Sequence, residues 1–97
     1  MYKIAFTPEA TADLDALRAF DARRVIAEIE NQLSQSPATP TRNRKRLRPN
    51  RLAEWELRVG EFRVFYDIIA DDVLVRIVAV GTKVGDRLFI HGEEYDL

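Results

Sequence analysis

Trp55-Glu56-Leu57-Arg58-Val59-Gly60-Glu61-Phe62-Arg63-Val64-Phe65-Tyr66-Asp67 is the stretch on which the fold turns. Trp55, Leu57 and Val59 alternate with Glu56 and Arg58, the period-two pattern of a strand with one buried face. Gly60-Glu61 then supplies a two-residue hairpin turn of the Gly-X kind. A second strand is predicted from Phe62 to about Ala70, a turn at Asp71-Asp72, and a third strand from Val73 to Val80. With Gly60-Glu61 as the turn, Val59 pairs with Phe62 and Arg58 stands opposite Arg63. Alternation assigns the rest. One face collects Trp55, Leu57, Val59, Phe62, Val64, Tyr66, Ile68, Val73, Val75, Ile77 and Ala79, nearly all apolar, and is expected to cover helices. The other collects Glu56, Arg58, Arg63, Phe65, Asp67, Ile69, Leu74, Arg76, Val78 and Val80, too polar for a core and too apolar for a plain solvated surface.

Arg58 and Arg63 are like charges directly across a ladder, an arrangement that costs stability. A fold does not need that pair. An anion does, because two guanidinium forks side by side suit a phosphate. The alternative is a neutralised surface network in which Glu56, diagonal to Arg63, and Asp67, opposite Arg76, balance the charges. From the residues alone the two readings stand level.

Upstream of the meander, Tyr2, Ile4 and Phe6 alternate with Lys3 and Ala5 as a short strand. Thr7 is placed to cap a helix that opens at Pro8, where proline loses no hydrogen bond, with Ala10, Leu14 and Leu17 as its apolar stripe. Asp21 is the expected cap of a second helix carrying Ala22, Val25, Ile26, Ile29 and Leu33 at helical spacing. Ser34 to Pro40 reads as a loop. The predicted fold is α+β: an N-terminal strand and two-helix hairpin packed on a curved antiparallel sheet, in the order β-α-α-β-β-β. At 97 residues the chain is expected to form a single domain spanning residues 1–97.

Composition narrows the chemistry. The absence of cysteine excludes disulfides, thiol catalysis and thiolate metal sites, and one histidine, His91, excludes a multi-histidine metal site; no metal and no cofactor is expected. No apolar run is long enough to span a bilayer and the opening residues lack the zones of a signal peptide, so the expected location is the cytoplasm. The formal net charge of -1 argues against a nucleic-acid partner until its distribution is read. Arg42, Arg44, Lys45, Arg46, Arg48 and Arg51 crowd one stretch without an acidic neighbour, while Glu93, Glu94 and Asp96 make the C-terminal end acidic. Pro49-Asn50 marks a turn inside that basic stretch, in a loop or strand entrance.

Taken together, the order strand, two helices, basic loop and meander resembles the RelE/ParE superfamily of toxin-antitoxin toxins. The resemblance rests on the Trp55–Asp67 stretch with its Phe62-Arg63-Val64-Phe65-Tyr66, on Val78-Ala79-Val80-Gly81-Thr82-Lys83, and on the Phe6-Thr7-Pro8-Glu9-Ala10 entrance to the first helix. It implies a toxin held in check by an antitoxin. For the RelE branch it implies cleavage of messenger RNA on the ribosome by activating a ribose 2′-hydroxyl against the neighbouring phosphate. Such a site needs a base, cations on the phosphate and an acid for the leaving oxygen. By resemblance Arg63 holds the phosphate and Arg58 and Lys83 complete the clamp. The basic run from Arg42 to Arg51, with Arg44, Lys45, Arg46, Arg48 and Arg51, would grip RNA backbone.

Two positions depart from the family pattern. Glu56 stands where well-known members carry a basic residue; it could be the base beside Arg63 or could weaken phosphate binding. Phe89 stands where they carry a tyrosine, able to stack on an RNA base but not to donate a proton. His91 and Tyr95 are the replacement candidates for proton transfer, His91 being the side chain that titrates near neutrality, although a histidine in a terminal tail is also an ordinary exposed residue. The acidic tail could fold over the basic face or remain a solvated terminus. Three functions remain: a ribosome-dependent mRNA endonuclease, a ParE-like DNA gyrase poison without RNase activity, and a degenerate module that only binds its antitoxin.

Overall fold

The computed structural model describes residues 1–97. Strand β1 (Lys3–Phe6) ends where Thr7 turns the chain into helix α1 (Pro8–Asp15). The Thr7 hydroxyl accepts the Ala10 N–H and Pro8 occupies the first turn, as the sequence predicts. Helix α2 (Ala19–Leu33) begins two residues before the expected Asp21 cap. Arg18 caps it without a side-chain hydrogen bond, and Asp21 instead places its charge in the first turn, where the helix dipole favours an anion. Val25, Ile29 and Leu33 form its buried stripe.

The sheet holds seven strands. Besides β1 these are β2 (Arg44–Arg46), β3 (Trp55–Val59), β4 (Phe62–Ile69), β5 (Leu74–Val84), β6 (Arg87–Ile90) and β7 (Glu93–Tyr95). They run in the spatial order β2-β3-β4-β5-β6-β7, with β1 added parallel to the first half of β5. The α+β architecture is as expected, with β2, β6 and β7 in addition to the predicted strands. The third strand does not stop at Val80 but runs on to Val84, and the acidic end pairs as β7 instead of folding over the basic face.

Leu57, Val64, Tyr66, Val75 and Ile77 lie on the face covered by the two helices, in a core of 14 buried residues. Within it Trp55 stacks on Tyr66, ring centroids 6.1 Å apart. The buried Tyr66 hydroxyl donates to the Pro37 carbonyl at 2.7 Å, and burial pushes its pKa far above that of a free phenol. Tyr66 is thereby a structural residue.

The predicted faces need one correction. Phe65 pairs with Ala79 and Tyr66 with Ile77, so Val78 is an extra, unpaired residue of β5. This bulge shifts the alternation downstream. Ala79, expected on the helix side, lies on the other face, and Val80, expected on the other face, joins the helix-side core. Phe65, Ala79, Leu88, Ile90 and Ala53 form a second, smaller core on that other face. It accounts for the apolar half of a face that looked mixed in sequence. No helix is long and apolar enough to cross a membrane.

Candidate functional site

The hairpin register predicted from Gly60-Glu61 is the observed one: Val59 opposite Phe62 and Arg58 opposite Arg63. Gly60 has a φ of +58°, and the Arg24 guanidinium lies where a Cβ would project. The positive φ favours glycine there, whereas the guanidinium, the far end of a flexible side chain, could swing aside. Beside this hairpin a cleft of about 310 Å³ is lined by Arg42, Asn43, Lys45, Glu56, Arg58, Arg63, Lys83 and Gly85. No hydrophobic side chain lines it, so it is unsuited to an apolar ligand.

Three routes bring the charges together. β3 and β4 supply Glu56, Arg58 and Arg63 from one face; β5 supplies Lys83; the β2 edge supplies Lys45 and, just before it, Arg42. Arg63 is only 8% exposed. One of its terminal nitrogens donates to the carbonyls of Gly60 at 2.8 Å and Phe62 at 3.0 Å, which fixes the guanidinium plane against the turn. Burial lowers its pKa, the Glu56 carboxylate pushes back upward and the Arg58 cation adds to the lowering. The group stays cationic, because a guanidinium is not deprotonated in proteins.

Glu56 reaches Lys45 at 3.9 Å. Asp67, the other expected neutraliser, is engaged elsewhere: it accepts the Glu54 N–H at 2.8 Å and lies 3.4 Å from Arg76. Arg42, Arg58, Arg63 and Lys83 make no ion pair in the protein. The neutralised-network alternative therefore accounts for Asp67 and Arg76 and not for the cleft. Four unpaired cations and one partly paired carboxylate share the cleft, a charge balance suited to a multiply charged anion.

Of the predicted catalytic group, Arg58, Arg63, Lys83 and Glu56 are thus brought together. His91 is not: its Nδ1 lies 2.8 Å from Asp13 Oδ1 on α1. Phe89 pairs with Thr82, which pairs with Phe62, so the register sets it on the helix-side face, where the Arg87 guanidinium covers its ring at 5.4 Å. Tyr95, opposite Leu88, packs against the smaller core.

The basic run divides in the same way. Lys45 faces the cleft. Arg44, opposite Leu57, turns to the helix side and donates to the Gln32 carbonyl in the last turn of α2, where a cation meets the negative end of the helix. Arg46 lies over Trp55 at 6.0 Å and beside Glu54 at 3.8 Å. Arg48 and Arg51 border a separate concavity formed by the Leu47–Ala53 loop, which Asn50 organises through hydrogen bonds with Arg48, Leu52 and Ala53. Asn43 and Gly85 are cleft residues that the sequence did not assign to a site, while Arg42 belonged to the basic run expected to grip RNA. Arg42 carried a signal, as the first cation of the run; Asn43 carried none, and Gly85 signals only a turn.

Residues 4–85 match a family model described as the ParE toxin of the type II toxin-antitoxin system parDE. No curated protein matches the sequence. Among solved structures, the toxin-antitoxin complex RelBE2 from Mycobacterium tuberculosis is similar at 28% identity and a TM-score of 0.73, over 84% of this chain and 98% of that one. The isolated E. coli RelE toxin is similar at 17% identity and a TM-score of 0.70, over 87% of this chain and 86% of that one. The intact E. coli RelBE toxin-antitoxin complex gives 19% identity and a TM-score of 0.58, over 87% of this chain and 98% of that one. The two E. coli likenesses are of fold alone.

Proposed function

The chain belongs to the ParE toxin family of the RelE/ParE superfamily and is the toxin of a type II toxin-antitoxin module, and on that premise we propose that it is a ribosome-dependent mRNA endonuclease neutralised by a cognate antitoxin. One observation carries this reading: Arg42, Arg58, Arg63 and Lys83 converge on one cleft without an ion-pair partner, beside a single carboxylate. RNA backbone is the polyanion such a cleft would hold.

In this mechanism the scissile phosphate lies across Arg58 and Arg63, whose guanidinium edges stabilise the charge that builds on its oxygens. The 2′-hydroxyl attacks the phosphorus, Glu56 takes the hydroxyl proton, and the Lys83 ammonium protonates the departing 5′-oxygen. The products are a 2′,3′-cyclic phosphate and a 5′-hydroxyl. No metal or redox partner enters the balance. His91 and Phe89 have no part in it, because the fold directs both away from the cleft.

A gyrase poison is the second reading, favoured by the ParE description of the matching family and by the lack of any aromatic ring or histidine along the cleft. Induced expression of the whole chain and of an Arg58→Ala/Arg63→Ala variant separates the two. The nuclease reading expects growth arrest with new 5′ ends on messenger RNA that vanish in the variant. Arrest with intact messenger RNA and accumulated gyrase-cleaved DNA overturns it in favour of the second reading. No arrest at all leaves a module that only binds its antitoxin.

A further inference from the structure

We propose that Asp13 and Thr7 are positioning residues that pin the Val78 bulge and thereby deliver Lys83 to the cleft. The inference rests on the cleft reading above, in that it concerns how one of its cations gets there.

Side chains alternate along a strand, so residues separated by an even number share a face. Ile77 is on the helix side, and uninterrupted alternation would carry Ala79, Gly81 and Lys83 there too. Lys83 would then point away from Arg58 and Arg63. The single extra residue at Val78 reverses the phase, and Ala79, Gly81 and Lys83 emerge on the cleft face. Bulges re-aim side chains in this way, at the cost of leaving ladder groups without strand partners.

The same stretch of β5 is open on its other edge as well, and there two side chains of the β1–α1 unit hold it. Along its outer edge β5 pairs with β1 through Ile77 and with β6 from Thr82 onward. Between them Val78 and Val80 have no strand neighbour on that side. The Thr7 hydroxyl donates to the Val78 carbonyl at 3.2 Å, and Asp13 Oδ2 accepts the Val80 N–H at 2.9 Å. Asp13 is nearly buried, with 10% side-chain exposure, and its second oxygen holds His91 at 2.8 Å, tying the end of β6 to the same point. His91 has a φ of +55° in the turn before β7. One carboxylate therefore closes the gap between two strands that flank the bulge. Gly81 completes the arrangement: a Cβ there would stand 2.7 Å from the Phe89 carbonyl oxygen, so β6 can close on β5 only over glycine.

The chain has three lysines, Lys3, Lys45 and Lys83, of which Lys45 and Lys83 line the cleft and Lys3 lies on β1. Reductive 13C-dimethylation of the full chain gives each lysine a resolvable NMR signal, and inorganic phosphate is the probe. In the native sequence phosphate is expected to shift Lys45 and Lys83 and to leave Lys3 in place. In Asp13→Ala the Lys83 response is expected to be lost while that of Lys45 persists. Asp13→Asn, which keeps an acceptor oxygen for the Val80 N–H, is expected to restore it. A merely structural Asp13 would instead weaken the Lys45 and Lys83 responses together, or neither, and either result overturns the proposal. Should Asp13→Ala fail to fold, Thr7→Val tests the same bulge from its other side, and an undiminished Lys83 response there overturns the proposal as well. No RNA is cleaved in this experiment. A protein that shows the Asp13-dependent Lys83 response but cuts no messenger RNA would sink the nuclease reading alone; one that cuts RNA with Lys83 silent toward phosphate would sink the positioning role alone.

Discussion

The same strands present two unlike faces. On the helix side Leu57, Val64, Tyr66, Val75 and Ile77 are fully buried and the Tyr66 hydroxyl is paired with Pro37, the buried Nε of Arg44 alone lacking a partner. On the cleft side, one residue away along each strand, Arg58 opposes Arg63 and four cations go unpaired. Burial of apolar area is the main favourable term in folding, whereas like charges across a ladder work against it. The difference puts the main core on the first face, and on the second, beside the smaller core, a cluster of charges that folding does not require.

That division can be broken by substitution. The largest expected effect is on the helix side: Leu57→Ala should cost about 2–5 kcal/mol in urea unfolding by leaving a cavity between the sheet and α2. A loss close to zero would mean that this face is not the main core. Tyr66→Phe should cost less, roughly 0.5–1.5 kcal/mol near neutral pH, for the hydrogen bond to Pro37. Its pH dependence sharpens the point. The folded Tyr66 pKa is raised, so its contribution is complete below the unfolded value of about 10 and is lost as the pH climbs above it, since the unfolded chain then gives up a proton that the folded one keeps. Tyr66→Phe should remove this share of the alkaline destabilisation; an identical alkaline limb in the variant would contradict the burial of a neutral hydroxyl. The smallest stability effect belongs to the cleft, where Arg58→Ala should stay within about 0.5 kcal/mol of the native chain.

Much of this was legible in the sequence. The β3–β4 register followed from Gly60-Glu61 because a two-residue turn fixes pairing and side-chain phase together. Thr7 and Pro8 announced α1 through local chemistry. The phase of β5 was not legible: the Val78 bulge is held by side chains 71 and 67 residues away in sequence from their backbone partners, and no local pattern marks it. The basic run misled for a related reason. Read as one loop, Arg44, Lys45 and Arg46 share a role. As strand β2 they alternate, and Arg44 goes to the α2 C-terminus while Lys45 goes to the cleft. The β5–β6 hairpin did carry a signal, since Gly85-Asp86 repeats the Gly-X chemistry of Gly60-Glu61 with a φ of +63° at the glycine. His91-Gly92 turns the chain back again with both residues at positive φ.

The most direct test of the two-face account is the urea unfolding of the native chain and Arg58→Ala, each with millimolar phosphate and with chloride at matched ionic strength. A ligand that binds only the folded state raises its stability. The account predicts that in chloride the variant is at least as stable as the native chain, and that phosphate stabilises the native chain more than the variant. A variant that is clearly less stable in chloride, with phosphate acting equally on both, would show that Arg58 serves the fold and would contradict the assignment of the cleft to an anion.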